Sequence, residues 1–197
     1  MSSKTFSVGN YVVYPSHGVG KITDIKSQSL ANLKIEMYCV YFEKEKMTLS
    51  VPVSHAGKVG LRSLCSAQDA EDALDVIGEK AQTARGIMWS RRAQEYERKI
   101  NSGDIIAISE VIRDLHRNVG NPDRSYSERV IYEAAYERFV TEASIVKKVT
   151  REAFEEQFGH LLKVNQIIPE NDNLEEQDED EDDFYDDDNS GGEAIAA

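Results

Sequence analysis

The spacing of apolar residues changes near Cys65, and this change limits the possible folds more than any other feature of the chain. Before Cys65, β-rich segments are separated by turn-forming residues such as those at positions 15–18. After Cys65, apolar residues recur every three or four positions, as they do along one face of a helix. A strand-rich segment followed by a helical one predicts the α+β class, with two separate domains.

The first 66 residues predict a small β domain. Val8 to Tyr14 and Val19 to Ile25 are strand candidates on either side of a turn, and Leu61 to Leu64 is a shorter one. Ile35 to Phe42 is apolar on both faces, which favours a central strand buried on both sides. Four or five short strands in about 60 residues predict a strongly bent sheet or barrel.

One further strand candidate has an apolar face and a polar face. Its alternating residues are Met47, Leu49, Val51 and Val53 on one face and Thr48, Ser50 and Pro52 on the other. Because proline has no N–H to donate to a neighbouring strand, Pro52 predicts that this strand lies at the edge of the sheet.

The residues after Cys65 predict a compact all-α domain of about five helices. Ser66 with Asp69 and Ser125 with Glu128 have the spacing of capping boxes, and Asp104 is a further candidate cap. Helix ends are expected at Gly78 and at residues 101–103, and residues 120–122 should interrupt the pattern. The predicted core-facing residues are Ala70, Leu74, Ile77, Trp89, Ala93, Tyr96, Ile100, Ile105, Ile108, Val111, Ile112, Leu115, Val130, Ala134, Phe139, Phe154, Phe158 and Leu162.

The net charge of −13 is concentrated in one segment. Residues 170–197 contain 14 acidic residues and no Lys or Arg, a composition that predicts disorder. We therefore expect a β domain at 1–66, a helical domain at 67–168 and a disordered acidic tail at 169–197. Residues 80–99 hold six basic and two acidic residues, so the average charge does not exclude a nucleic-acid partner.

The sequence contains no enzyme motif, and we expect neither catalysis nor a cofactor or metal. Gly18 and Gly20 lack the third glycine and the following helix of a phosphate-binding loop. The four histidines lie far apart, and Cys39 and Cys65 are expected to be small hydrophobic residues. No apolar run approaches the ~18 residues of a membrane span. The first residues lack an apolar signal core, so we expect a cytoplasmic protein.

The chain's single tryptophan, Trp89, lies in the basic segment. Ser90 is a candidate N-cap that would place Arg91 and Arg92 in the first helical turn, where arginine opposes the helix dipole. Two interpretations stay open. In one, the arginines bind phosphate while Trp89 stacks on or wedges against a base. In the other, Trp89 begins the buried stripe of its helix and the arginines are solvated.

Several motifs resemble the CarD/CdnL family of bacterial transcription regulators. In the N-terminal part they are residues 8–20 (VGNYVVYPSHGVG), 47–52 (MTLSVP) and 59–62 (VGLR). In the C-terminal part they are residues 89–92 (WSRR), 102–104 (SGD) and 110–115 (EVIRDL), and Ser125, Glu128 and Arg129 continue the match more loosely. The motifs follow one collinear order over residues 5–162.

The resemblance implies a Tudor-like β domain that docks on the RNA polymerase β subunit by pairing a strand edge. It also implies a helical domain that contacts promoter DNA at the upstream edge of the melted region, where a tryptophan enters the minor groove as a wedge. The implied polymerase-facing residues are Thr48, Ser50 and Pro52, and the implied DNA-contacting residues are Trp89, Arg91, Arg92 and Arg129.

The sequence therefore predicts a monomeric transcription regulator that stabilises the open promoter complex and binds promoter DNA weakly when alone. It predicts no membrane partner and no small-molecule substrate. The alternative is a protein adaptor whose helical domain binds another protein, with Trp89 in its core. For the acidic tail, two hypotheses stay open: it folds back on residues 80–99 as a DNA mimic, or it only improves solubility.

Overall fold

Five strands precede five helices in the part of the chain that the computed structural model describes, which is residues 6–30, 33–82, 87–116 and 125–166. This order confirms the predicted α+β class. The predicted disordered tail at 169–197 and the predicted break at residues 120–122 lie outside these ranges. No helix within them is long and apolar enough to cross a membrane.

The strands form one antiparallel sheet with the order β4-β3-β2-β1-β5. Their bounds are β1 (Tyr11–Tyr14), β2 (Gly18–Leu30), β3 (Leu33–Phe42), β4 (Met47–Pro52) and β5 (Arg62–Ser63), with a 3₁₀ turn at Val53–His55. β4 is an outer strand, as Pro52 predicted. The consecutive residues Tyr38, Cys39 and Val40 are all buried, which confirms that the centre of β3 is covered on both faces.

The core of the β domain lies on one face of this sheet. It consists of Val12, Ile22, Tyr38, Val40, Phe42, Val51, Ala56 and Leu61. The pairing of β2 with β3 is irregular between Ile22 and Asp24, and such an irregularity bends a strand. Gly20 allows the close approach of β2 and β3, because a Cβ at this position would lie 2.6 Å from Cγ1 of Val40.

Side-chain capping contacts mark the start of several of the described helices. Their bounds are α1 (Ala67–Gly78), α2 (Trp89–Ser102), α3 (Ile105–His116), α4 (Tyr126–Lys147) and α5 (Arg151–Gln166). At the start of α1, the Ser66 hydroxyl accepts the Asp69 N–H at 3.0 Å, and the Asp69 carboxylate accepts the Ser66 N–H at 2.8 Å. The Ser125 hydroxyl accepts the Glu128 N–H at 3.2 Å before α4. Both predicted capping positions are thus occupied as expected.

Most predicted core-facing residues of the helical domain are buried, including Phe139 of α4, but the two earlier α4 positions are displaced by one residue. Val130 is 44% exposed, and Ala134 is only half-buried. Ile131 and Ala135 are buried in their place, and with Phe139 they follow four-residue spacing along one helix face. Since adjacent residues are about 100° apart around a helix, Val130 and Ala134 lie at the rim of that face.

Two arginines join the β domain to the helical domain. Arg62 of β5 donates to the Glu142 carboxylate of α4 at 2.7 and 2.9 Å, and to the Gly103 carbonyl at 2.9 Å. Arg138 of α4 donates to two carbonyls of the β1–β2 turn, those of Pro15 and Ser16, at 2.6 and 2.7 Å. These charge-assisted hydrogen bonds fix how the sheet is oriented relative to the helices.

Candidate functional site

Trp89 is the first residue of α2, and three contacts hold its side chain. The indole Nε1–H donates to the Ser127 hydroxyl of α4 at 2.8 Å. The indole ring lies 6.4 Å from the Tyr96 ring at an angle of 51°, and the Arg92 guanidinium carbon lies 5.6 Å from the indole. The side chain is half-buried. The structure therefore presents the indole in one fixed orientation with part of its surface open.

The predicted role of Ser90 as N-cap is wrong. The helix begins two residues earlier than this cap would place it, and its N-cap residue is Met88, which makes no side-chain capping hydrogen bond. The stripe of Trp89, Ala93, Tyr96 and Ile100 explains this start, because including Trp89 in the helix lets its ring pack on Tyr96. Arg91 and Arg92 still fall in the first turn, where they oppose the helix dipole.

Arg91, in the first turn of α2 beside Trp89, differs in its partners from the last two basic residues of this segment. Arg98 donates to Glu95 at 2.8 Å and Lys99 pairs with Glu110 at 2.9 Å, so their charges are compensated. Arg91 is exposed and makes no ion pair with any residue in the described ranges. The first turn of α2 therefore carries an uncompensated positive charge beside Trp89.

Arg129 lies in the first turn of α4, two residues after the hydroxyl that binds the indole. It is exposed and, like Arg91, has no ion pair within the described part of the chain. The Trp89–Ser127 hydrogen bond joins the first turns of α2 and α4. The structure thus brings all four predicted DNA-contacting residues to the same end of the helical domain.

Exposed apolar side chains surround these residues. Met88 is 76% exposed and Tyr126 is 78% exposed, directly before Trp89 and Ser127 in the chain. Ile87 and Val130 are each 44% exposed. We call the combined region the α2/α4 surface and define it by its members, which are Met88, Trp89, Arg91, Arg92, Tyr126, Ser127 and Arg129. Its mixture of arginines and exposed apolar groups is unusual for a solvated surface.

The predicted polymerase-facing residues lie together on β4. Thr48 and Ser50 are exposed, Pro52 is half-buried, and the three alternate with the inward-facing residues as expected. On one side β4 pairs with β3, with Ser50 opposite Cys39 and Thr48 opposite Tyr41. On its other side no strand of the described chain pairs with it. Its free backbone groups can therefore accept an added strand.

Four residues that sequence reasoning does not identify contribute to these sites. Ser127 orients the indole, and the remaining three, Arg62, Arg138 and Glu142, connect the two domains. Glu142 carries a recognisable signal, because it lies beside Phe139, Val140 and Ala143 on the buried face of α4. A carboxylate on an apolar helix face requires a buried partner. Nothing in the sequence around Ser127 distinguishes it from an ordinary residue at a helix start.

Metal-binding potential and the reactivity of the two cysteines are further properties of the described chain. They contain no group of three or more His, Cys, Asp or Glu side chains that could hold a metal ion. Burial, reinforced by the neighbouring Glu142 carboxylate, raises the pKa of the Cys65 thiol to about 12. Because the thiolate is the nucleophilic form, this raised pKa makes the Cys65 thiol a weak nucleophile at neutral pH. Cys39 is buried in β3, where it packs as a small apolar residue.

Two family models match consecutive parts of the chain. The CarD-like/TRCF RID domain matches residues 6–65, and the CarD C-terminal domain matches residues 72–158. Together they account for 147 of the 197 residues. The chain belongs to the CarD family. A CarD-family relative from Bacillus subtilis (strain 168) bears the name "Putative transcription factor YdeB" and is 26% identical over 145 residues, which are 74% of this chain and 94% of the relative.

Membership of the CarD family confirms the predicted resemblance and the predicted class of transcription factor. The RID match implies an RNA polymerase interaction in the family, and the family is not one of enzymes. β4 lies within the range of the RID match, and the α2/α4 surface lies within the range of the CarD C-terminal match. Each of the two candidate sites therefore belongs to a different CarD module.

Proposed function

We propose that this CarD-family chain docks on the β subunit of RNA polymerase through the free edge of β4 and stabilises the open promoter complex through the α2/α4 surface. In this proposal residues 1–66 and 67–168 act as the docking domain and the DNA-contacting domain, and residues 169–197 form a separate tail. The protein would act in the cytoplasm, where transcription takes place in bacteria.

The observation that carries the proposal is the fixed position of Trp89 at the same end of the helical domain as Arg91 and Arg129, two exposed arginines with no ion pair among the described residues. Its indole is held by Ser127 and Tyr96, so little side-chain freedom is lost when the ring enters a groove. A wedge in the minor groove must offset the unstacking of a base step, which costs a few kcal/mol. Because the indole is already ordered before it meets DNA, more of its contact energy is left to offset the unstacking of the base step.

The arginines support the wedge by positioning the phosphate backbone. Arg91 and Arg129 are exposed without an ion pair among the described residues, so contact with a phosphate breaks no existing ion pair. The guanidinium fork suits two phosphate oxygens at once. Arg92 lies against the indole, with its guanidinium carbon 5.6 Å from the ring, so it would contact DNA next to the wedge. All three contacts would weaken with salt, as phosphate contacts do.

The β4 edge supplies the polymerase contact. Its outer backbone groups are unpaired within the described chain, and Thr48 and Ser50 leave the strand surface small and polar. A partner strand that adds to this edge would tether the helical domain close to the promoter. Tethering raises the local DNA concentration, so a chain of net charge −13 can act on DNA without strong affinity of its own.

The lifetime of the open promoter complex tests the wedge. We expect Trp89→Ala to shorten the half-life that the protein confers by about tenfold, which corresponds to about 1.4 kcal/mol. Ser127→Ala should shorten it less, since the ring remains but loses its orienting hydrogen bond. Tyr11→Ala is the matched control, because Tyr11 is an exposed aromatic residue of β1 outside both candidate sites. An unchanged half-life with Trp89→Ala at full polymerase occupancy would refute the wedge.

The docking edge is tested by a pull-down with the polymerase β subunit. Thr48→Glu and Ser50→Glu place a carboxylate on the exposed face of the edge strand and should reduce the amount of β subunit retained. Gln157→Glu adds the same charge to an exposed position of α5, outside the sheet, and should have no effect. Equal losses for the three variants would refute docking through β4.

A protein adaptor is the second candidate, and the partial burial of Trp89 on Tyr96 favours it. The exposed Met88 and Tyr126 would then contact a protein instead of DNA. An adaptor also loses β-subunit binding with Thr48→Glu. It differs in the half-life experiment, since Trp89→Ala would leave the open complex unchanged.

A further inference from the structure

The α2/α4 surface combines two properties that a partner must match. Its arginines, Arg91 and Arg129, are cationic and unpaired among the described residues. Its exposed apolar side chains, Met88 and Tyr126, are more than three-quarters open to solvent. A partner that covers the whole surface therefore needs acidic groups and apolar groups close together.

The chain itself contains such a segment after α5. Residues 170–188 hold 13 acidic residues and no Lys or Arg. Phe184 and Tyr185 lie inside this run, with Asp182 and Asp183 before them and Asp186, Asp187 and Asp188 after them. This acidic-aromatic sequence is complementary to the α2/α4 surface in both charge and apolar character.

The contacts between α5 and α4 limit how far the end of α5 lies from the start of α4. Arg151, Phe154 and Phe158 of α5 all contact α4 between Tyr136 and Phe139. Phe158 lies eight residues before the end of α5, and Tyr136 lies ten residues after the start of α4. At about 1.5 Å per residue, the end of α5 is about 12 Å from this contact and the start of α4 is about 15 Å from it.

We propose that the acidic tail, residues 170–197, occupies the α2/α4 surface in the free protein, with its carboxylates on Arg91 and Arg129 and its two aromatic residues against Met88 and Tyr126. Promoter DNA and the tail then compete for one surface. Phe184 is 18 residues beyond the end of α5, and a chain spans at most about 3.6 Å per residue, so the acidic-aromatic run can reach the first turn of α4. We assign the surface to the chain's own tail because a short tether gives the tail an effective concentration in the mM range.

This inference refines the hypothesis that the tail folds back on residues 80–99. Arg98 and Lys99 are already paired with Glu95 and Glu110, so the C-terminal end of that segment has no uncompensated positive charge for the tail to bind. Arg129, which lies outside the segment, belongs to the surface instead. The proposal rests on the proposed function only in that DNA is the competitor; contact between the tail and the surface requires neither DNA nor polymerase.

The fluorescence of Trp89 tests the contact, since the chain has a single tryptophan. Acrylamide is a neutral quencher, so its access reports coverage of the indole rather than local charge. We expect deletion of residues 170–197 to raise the acrylamide quenching constant by about twofold at low salt, in proportion to the occupancy that the tether gives. The difference should disappear at about 1 M salt, where the Debye length is about 3 Å. Equal quenching constants at low salt would overturn the proposal.

Full-length variants separate this result from any effect of truncation. Arg91→Gln with Arg129→Gln should raise the quenching constant as deletion does, whereas Lys26→Gln with Lys58→Gln makes the same charge change in the β domain and should not. Phe184→Ala with Tyr185→Ala should give an intermediate value without changing charge. An effect of the two lysine changes equal to that of the two arginine changes would overturn the assigned surface.

The two proposals fail in different ways. If the tail contact is wrong, tail deletion leaves quenching unchanged, while Trp89→Ala still shortens the open-complex half-life. If the wedge is wrong, the half-life is insensitive to Trp89, while tail deletion still raises quenching.

Discussion

The ion pair between Arg62 and Glu142 gives the sharpest prediction about the fold. The Glu142 side chain is 3% exposed, and it accepts hydrogen bonds from the Arg62 guanidinium and from the Cys65 N–H at 2.8 Å. Arg62→Leu removes the guanidinium and leaves a buried carboxylate with one backbone partner. Breaking a buried ion pair in this way costs about 3–5 kcal/mol. Because the Arg62 side chain is 31% exposed, water can partly replace it, so we expect a loss of roughly 2–3 kcal/mol.

Urea unfolding at neutral pH, followed by far-ultraviolet circular dichroism, measures this loss. Arg98→Leu is the matched control, since Arg98 pairs with Glu95 on the surface and its removal should leave the unfolding midpoint unchanged. The double variant Arg62→Leu with Glu142→Leu should be more stable than Arg62→Leu alone, because no unpaired carboxylate stays buried. A loss for Arg62→Leu no larger than that for Arg98→Leu would refute the reasoning.

Three further predictions follow from local contacts. The thiol of Cys65, with its pKa raised from 9.0 to about 12, should be alkylated by iodoacetamide roughly 1000-fold more slowly at pH 8 than a free thiol, as read by peptide mass spectrometry. Rapid alkylation of the native protein would contradict its buried environment. Gly20→Ala should lower the free energy of unfolding by about 1–3 kcal/mol in urea, since the added methyl group overlaps β3 side chains; an unchanged midpoint would contradict the close packing. The Ser66 N–H lowers the pKa of Asp69 below 3.8, so the stability from this carboxylate is present above pH 3.8 and lost as pH falls through the lower, folded-state pKa. Asp69→Asn should therefore lower the urea midpoint at pH 7 and make progressively less difference below pH 3.8; a difference independent of pH would contradict the capping contact.

The elements that sequence predicts well are those specified by neighbours in the chain. The capping boxes at Ser66 and Ser125 each need only residues within one helical turn, and both starts are placed correctly. Pro52 has no backbone N–H, which by itself predicts an edge position, and β4 is an outer strand of the sheet. The apolar stripe of α3 also follows from spacing alone, since all five predicted residues are buried.

The features that sequence misplaces depend on contacts between distant segments. Ser90 resembles an N-cap, but packing of Trp89 on Tyr96 outweighs the missing cap and starts the helix earlier. Val130 fits a helical stripe, but α3 and α5 together determine which face of α4 is covered. The partner of Trp89, Ser127, lies 38 residues away, and its role arises only when α2 and α4 pack side by side.

The central claim is that docking and wedging are separate actions of two modules on one open complex. The most direct measurement is the open-complex lifetime titrated with wild type, Ser50→Glu and Trp89→Ala. The account predicts that Ser50→Glu needs more protein to reach the wild-type plateau, because it weakens docking and leaves the wedge intact. Trp89→Ala should reach half of its own maximum at the wild-type concentration but with a lower plateau. A lowered plateau for Ser50→Glu together with a full plateau for Trp89→Ala would contradict the account.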